Sequence, residues 1–311
     1  MTTAKVAAEH SVHSTRAALA SVSLALILLV AKSWAAYVTN STAMLGSLAD
    51  TGLDVIASLT TLVGVRIAAQ PADYDHRFGH GKAEALVALA QVVLITISAI
   101  GICWRAVERL INGAQTQAMD AGIGVSLLAI LFTFALLWYQ KQVIARTGSV
   151  AIKTDNVHYK SDLFLNLSVI LALVLEQAFH LGGADALFGV GIALWLLWGA
   201  WRASNEAVHQ LMDREWPEDE RQEFLVAAAD YPELQGLHDL RTRKSGTMRF
   251  VQFHVWVPAK WTVQEAHDRL DAVEEELQQR FPGTEILIHV DPEGQTDRET
   301  LLPQEITERA Q

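Results

Sequence analysis

Six apolar stretches recur along the first two thirds of the chain, near 15–38, 42–68, 83–110, 119–143, 155–180 and 185–208. Each is long enough to cross a hydrocarbon core as a helix. The first contains AALASVSLALILLVAKSWAAYV, and the fourth, AGIGVSLLAILFTFALLWY, is nearly free of charge. The sixth carries Trp195, Trp198 and Trp201, which suit either a membrane interface or packing. After Asp213 the pattern changes to short amphipathic elements. PEDERQEFLVAAAD at 217–230 predicts a helix with Pro217 near its start. LHDLRTRKSG and TMRFVQFHVWV predict two strands joined at Ser245–Gly246. Residues 263–281 predict a second helix ended by Pro282–Gly283, and EILIHVD predicts a third strand. The expected fold is therefore an α-helical membrane domain of six transmembrane helices at 1–212, then a small α+β domain at 213–292. Its order is α-β-β-α-β, with helices on one face of a sheet. A polar, disordered tail is expected at 293–311.

Charge sharpens this division. Residues 1–212 carry 13 Lys+Arg and 13 Asp+Glu, so the whole formal charge of −11 resides in residues 213–311. An acidic soluble part lacks the basic footprint that nucleic acid requires and suits cationic partners. Cys103 is the only cysteine, which excludes an intramolecular disulfide and thiolate metal sites. Any metal must be held by His, Asp or Glu. The N-terminal residues show no short apolar core with a small-residue cleavage site, so no cleaved leader is expected. On the side of the termini the loops carry Arg66, Arg77, Lys82, Lys141, Arg146 and Lys153, whereas the connections after spans one and five carry no Lys or Arg. Arg105 and Arg109 near the end of span three are a mild exception. The positive-inside rule puts both termini in the cytoplasm of a multi-pass protein.

The chemistry lies in the spans. Asp50 and Asp54 stand at i and i+4 in STAMLGSLADTGLDVIASLTTLVG, on one helical face. Paired carboxylates in an apolar helix repel one another and resist desolvation, so they need a cation or protons. His158 and Asp162 repeat the spacing in span five. Together the four form an N/O ligand set suited to tetrahedral Zn²⁺, less so to Mg²⁺ or Ca²⁺, and unable to separate zinc from Cd²⁺, Fe²⁺, Co²⁺ or Mn²⁺. Metal and protons compete for such ligands, which points to proton-coupled exchange. Asp155, Asn166 and Asp185 read as packing or hydrogen-bonding residues. Outside the spans, His76 and His80 lie at i, i+4 with Asp73 and Asp75 upstream and Gly79 and Gly81 beside them; a cation loop and a solvated charged loop both fit. In the C-terminal part, His289 and Asp291 alternate along a strand and share a face. His254 falls on the side opposite the core residues of its strand, and His238 and His267 add further donors.

DxxxD in span two, HxxxD in span five, PADYDHRFGHGKAE at 71–84, HYKSDLFLN at 158–166, LMDRE at 211–215 and HDLRTR at 238–243 resemble the cation diffusion facilitator family, in its bacterial zinc and ferrous-iron efflux branch. The likeness covers nearly the whole chain. It implies a homodimer in the bacterial inner membrane, with metallochaperone-like cytoplasmic domains. It further implies export of Zn²⁺, with Cd²⁺ and Fe²⁺, by proton antiport and alternating access, with no organic cofactor. By that resemblance Asp73, His76 and His80 form a loop site, the motif favouring Asp73 over Asp75. His238, His254, His267, His289 and Asp291 match a binuclear zinc site at the dimer contact, with Asp291 bridging. Lys82 and Asp213 match a charge interlock between protomers, a kind of pair that sets geometry more than stability. Two other classes stand beside this reading. A membrane metalloenzyme would need an open coordination position, and there is no HExxH. A metal sensor would have no use for carboxylates in mid-membrane.

Overall fold

The computed structural model describes residues 3–39, 42–112, 120–179 and 184–294. The chain divides into two compact units, one of His10–Val208 and the other of His209–Gln311 with Met1–Glu9. Six long helices come first: α1 (Thr3–Thr39), α2 (Thr42–Ala68), α3 (Ala83–Asn112), α4 (Asp120–Thr147), α5 (Val150–Phe179) and α6 (Ala184–Leu211). Among the described residues, five of them contain an apolar window of membrane-spanning length. In α5 the charged residues Lys153, Asp155, Lys160 and Asp162 all lie in the first half, ahead of the apolar run LFLNLSVILALVL. Both α1 and α5 begin earlier than the apolar pattern indicates. The helices start at Thr3 and Val150, and the first turn of α5 buries Val150, Ala151 and Ile152.

The outward side chains of this unit are large and apolar; Val30 is 69% exposed and Trp104 74%. Water rarely meets so much apolar surface on a soluble protein, whereas lipid tails match it. The interior is built from small and polar residues, with Ala17, Ala18, Ala85, Ala88, Ala99 and Ala193 all fully buried. Small residues let helix backbones approach, the usual basis of packing in lipid. Gly64 of α2 is the clearest instance, since a Cβ there would lie 2.3 Å from Val87 Cγ2 on α3. Asp155 is fully buried, as is Gln140. It accepts from Ser21 Oγ at 2.7 Å and from Gln140 Nε2 at 2.8 Å, and Thr61 and Gln91 stand near its other oxygen. Gln91 also donates to Thr61. One packing carboxyl group thus ties together helices α1 to α5, and its partners satisfy its oxygens in the interior.

The second unit is the expected α+β layer. Helix α7 (Glu218–Ala228) and a 3-10 turn at Pro232–Leu234 lead to strands β1 (His238–Ser245) and β2 (Met248–Val257). Helix α8 (Val263–Arg280) and strand β3 (Thr284–Pro292) complete it. The hairpin β1–β2 is antiparallel and turns through Gly246 at φ +59°, a conformation glycine adopts freely. Strand β3 runs parallel to β2, so the sheet order is β1-β2-β3 and α8 is the crossover. Thr262 and Glu265 form a reciprocal capping box that fixes the start of α8. Val251, Phe253 and Val255 face Phe224, Leu270, Val273 and Leu277 in the core. The alternate residues of β2 face the other way, so one side of the sheet is free for other chemistry. The tail expected at 293–311 falls outside the described residues from 295 onward.

Candidate metal centres

In the helical unit, Asp54 of α2 and His158 and Asp162 of α5 converge. His158 Nε2 lies 3.0 Å from Asp54 Oδ1 and 3.9 Å from Asp162 Oδ2. The three ligand atoms are all within 4.8 Å of one another. A tetrahedral zinc with bonds of about 2.0–2.1 Å separates its ligands by about 3.4 Å, so this spacing needs little adjustment. His158 is buried, and the cluster opens on a cavity of about 260 Å³. One turn of helix places Asp162 beside His158. Asp50, the fourth expected ligand, lines the same cavity but is not in the group. Its Oδ2 instead lies 3.6 Å from Arg105 Nη1 on α3. Arg105 is legible in the sequence only as an exception to the loop charges, with nothing to link it to Asp50.

The α2–α3 loop gathers Asp73, His76 and His80. Asp73 Oδ1 is 3.3 Å from His76 Nδ1, and Asp73 Oδ2 is 3.3 Å from His80 Nε2. The same Oδ1 accepts the backbone N–H groups of Asp75 at 3.0 Å and His76 at 2.6 Å, an Asx turn. The His76 N–H, together with the nearby His80, holds the Asp73 carboxyl below its usual range. Gly79 at φ +77° turns the chain back toward His80. Asp75 supplies a backbone donor and no ligand. His80 Nδ1 is buried without a hydrogen-bond partner among the described residues.

On the open face of the sheet, His238, His254 and His289 sit at one register level across β1, β2 and β3. Asp291 Oδ2 lies 3.1 Å from His238 Nε2 and 2.9 Å from His254 Nδ1, while its Oδ1 faces His289 Nε2 at 3.5 Å. Burial alone would raise the Asp291 carboxyl, but the His254 hydrogen bond and the charges of His254 and His289 bring it below its ordinary value. His238 Nδ1 lies 2.7 Å from the Gly236 carbonyl. Donation to that carbonyl fixes the tautomer that leaves Nε2 free as a ligand. The donor set and its backing thus fit a resident Zn²⁺. Asp239, which the sequence does not single out, has φ +47° at an irregularity in β1 and turns its carboxylate toward His254, 3.7 Å from Nε2. His267 lies exposed on α8 and is outside this ligand group. Asp213 faces Arg243, Nη1 to Oδ1 3.5 Å. Lys82 is half-buried just before α3, where its carbonyl accepts the first helical N–H groups.

Comparison with known proteins identifies the family of the chain. A model of the cation efflux transmembrane domain matches residues 18–212, and one of the cation efflux protein cytoplasmic domain matches residues 216–293. The chain belongs to the cation diffusion facilitator family. Its sequence is 41% identical to the cation-efflux pump FieF of Klebsiella pneumoniae, over 89% of this chain and 92% of that protein. The FieF proteins of Cronobacter sakazakii (42%, 89% and 92%) and Escherichia fergusonii (41%, 91% and 94%) are similar to the same degree. A solved structure of CzrB in its Zn form is 36% identical over 28% of this chain and 99% of that one, with a TM-score of 0.25. The chain is accordingly a cation efflux transporter of the FieF type and not an enzyme.

Proposed function

We propose that this protein exports divalent transition-metal ions, Zn²⁺ foremost and Cd²⁺ and Fe²⁺ with it, from the cytoplasm in exchange for protons. The observation that carries this reading is the meeting of Asp54, His158 and Asp162 at ligand spacing in a cavity of the membrane unit. Two carboxylates and a neutral imidazole are the ligands, and Asp50 completes a tetrahedral set when it joins them. Metal leaves as protons take its place on the ligands, so an inward proton gradient drives metal outward by alternating access. Zinc held by His238, His254, His289 and Asp291 offsets the acidity of the C-terminal part and so favours a homodimer, in which Asp291 would bridge two ions. Asp73, His76 and His80 hold a further ion, and Lys82 and Asp213 interlock the protomers. The protein then sits in the bacterial inner membrane with both termini in the cytoplasm.

The test is zinc flux in proteoliposomes under an imposed pH gradient. Flux should follow the gradient and fall at least 100-fold in Asp54→Ala, the upper end of the loss typical for disturbing groups that merely support a ligand. Full-rate transport by Asp54→Ala refutes the site. Flux indifferent to the gradient refutes proton coupling.

A further inference from the structure

We infer that Arg105 is a resident counter-cation that holds Asp50 out of the transport site and sets how tightly cargo is bound. This rests on the transport-site reading above. Three observations on the chain's own residues support it. Asp54, His158 and Asp162 are drawn together, while Asp50, one turn before Asp54, is not among them. Asp50 faces Arg105 at 3.6 Å, across the contact between α2 and α3. Both residues line the same cavity as the three clustered ligands.

An arginine within an apolar helix is costly and is retained where it has a partner or a task. Here its partner is a carboxylate with the spacing and chemistry of a metal ligand. A guanidinium and a divalent ion draw on the same lone pairs, so cargo must displace Arg105 to gain Asp50. The pair is suited to being displaced. Its 3.6 Å separation is longer than a charge-assisted hydrogen bond, and the side chains are 66% and 57% exposed. A pair so open contributes little that a metal cannot overcome. Gly101, one turn before Arg105, adds no side chain to the cavity wall, and a Cβ there would meet nothing within 4 Å. The Arg105 side chain therefore has room to swing away. The site has two arrangements: three ligands with Asp50 held by Arg105, and four with Asp50 released.

The test is zinc transport by the full chain in proteoliposomes, reading half-saturating zinc and maximal rate separately. Arg105→Gln, and Arg105→Met as a second neutral variant better suited to lipid, should lower half-saturating zinc by up to about fivefold, or about 1 kcal/mol, the upper end for so open a pair. The maximal rate should fall as well, because cargo held by four ligands leaves more slowly. Arg105→Lys should stay near the parent protein, and in Asp50→Asn the further change Arg105→Gln should have no effect. An unchanged half-saturation in both neutral variants overturns the inference. So does an equal drop in the Asp50→Asn background, which would make Arg105 a general repulsive charge. Full activity of Asp54→Ala would instead sink the transport-site reading, a result distinct from either.

Discussion

Gly236→Ala tests how the cytoplasmic cluster is positioned, because the residue is no ligand and yet touches everything that aims one. Gly236 has φ +73°, and an added Cβ would lie 2.5 Å from Trp256 Cε3. Alanine in left-handed backbone costs about 1–2 kcal/mol before any contact is counted. Ordinary carbon–carbon contact begins near 3.5 Å, so the indole must retreat by roughly 1 Å. That ring lies against His238, centroids 5.3 Å apart. The Gly236 carbonyl is also the partner of His238 Nδ1. Movement of either therefore turns the imidazole away from Asp291. Loss of such support typically costs about 10–100-fold in metal affinity. The measurement is zinc affinity of the full chain by competition with a chelator, alongside its thermal unfolding without metal. Gly236→Ala should weaken one class of site by that factor and lower apo stability by at least the backbone term. His238→Ala, as control, should abolish the same class. Parental zinc affinity in Gly236→Ala would refute the reasoning, since the site would then not depend on how His238 is held.

Two further substitutions test the membrane unit. Gly64→Ala should destabilise by about 1–3 kcal/mol through overpacking against Val87; a lower melting temperature in detergent, recovered in Gly64→Ala/Val87→Ala, is the expected pattern. Asp155→Ala removes the acceptor that Ser21 and Gln140 share, leaving Ser21 with the Ala17 carbonyl and Gln140 with Ser21 Oγ, and should cost about 1–3 kcal/mol in all. Asp155→Asn keeps an acceptor and should unfold at a higher temperature than Asp155→Ala.

Legibility in the sequence depends on which physics acts locally. Helix periodicity puts His158 beside Asp162, and strand alternation puts His254 on the face opposite Phe253; both spacings are fixed by the backbone, and both are present. The same periodicity places Asp50 with Asp54, and both line the cavity, but it does not reveal the partner that Asp50 takes there. Sharing a helical face says nothing about whether a side chain meets a cation on another helix, and Arg105 lies 55 positions along the chain. The grouping of Asp291 with His238 depends on sheet order, which sequence spacing does not contain. Asp239 is hidden in the sequence because strand alternation would point it away from His254; the irregularity between His238 and Arg241 reverses that. His267 shows the opposite case. It has the right chemistry for the site, but its own helix packs on the core side of the sheet, away from the face that bears Asp291.

Charge explains why Arg105 belongs with these carboxylates. In the loaded cavity, a divalent ion against Asp54, Asp162 and a neutral His158 sums to zero, the least costly state to hold away from water. Adding Asp50 alone makes that sum −1. Keeping Arg105 beside Asp50 restores zero whichever carboxylates the ion touches. A neutral residue at 105 leaves the deprotonated, metal-free cavity at −3 in place of −2, and so deepens the attraction for a dication. That is useful for capture and harmful for release, and a transporter must do both in each cycle. The cytoplasmic cluster has no such constraint. One carboxylate and neutral histidines around zinc leave a positive sum, which lies near water in the part of the chain with 22 acidic and 11 basic residues after position 212. A site meant to keep its ion can be balanced by fixed surroundings. One meant to let go benefits from a positive charge on a movable arm, and Arg105, open to the cavity and loosely paired, has those properties.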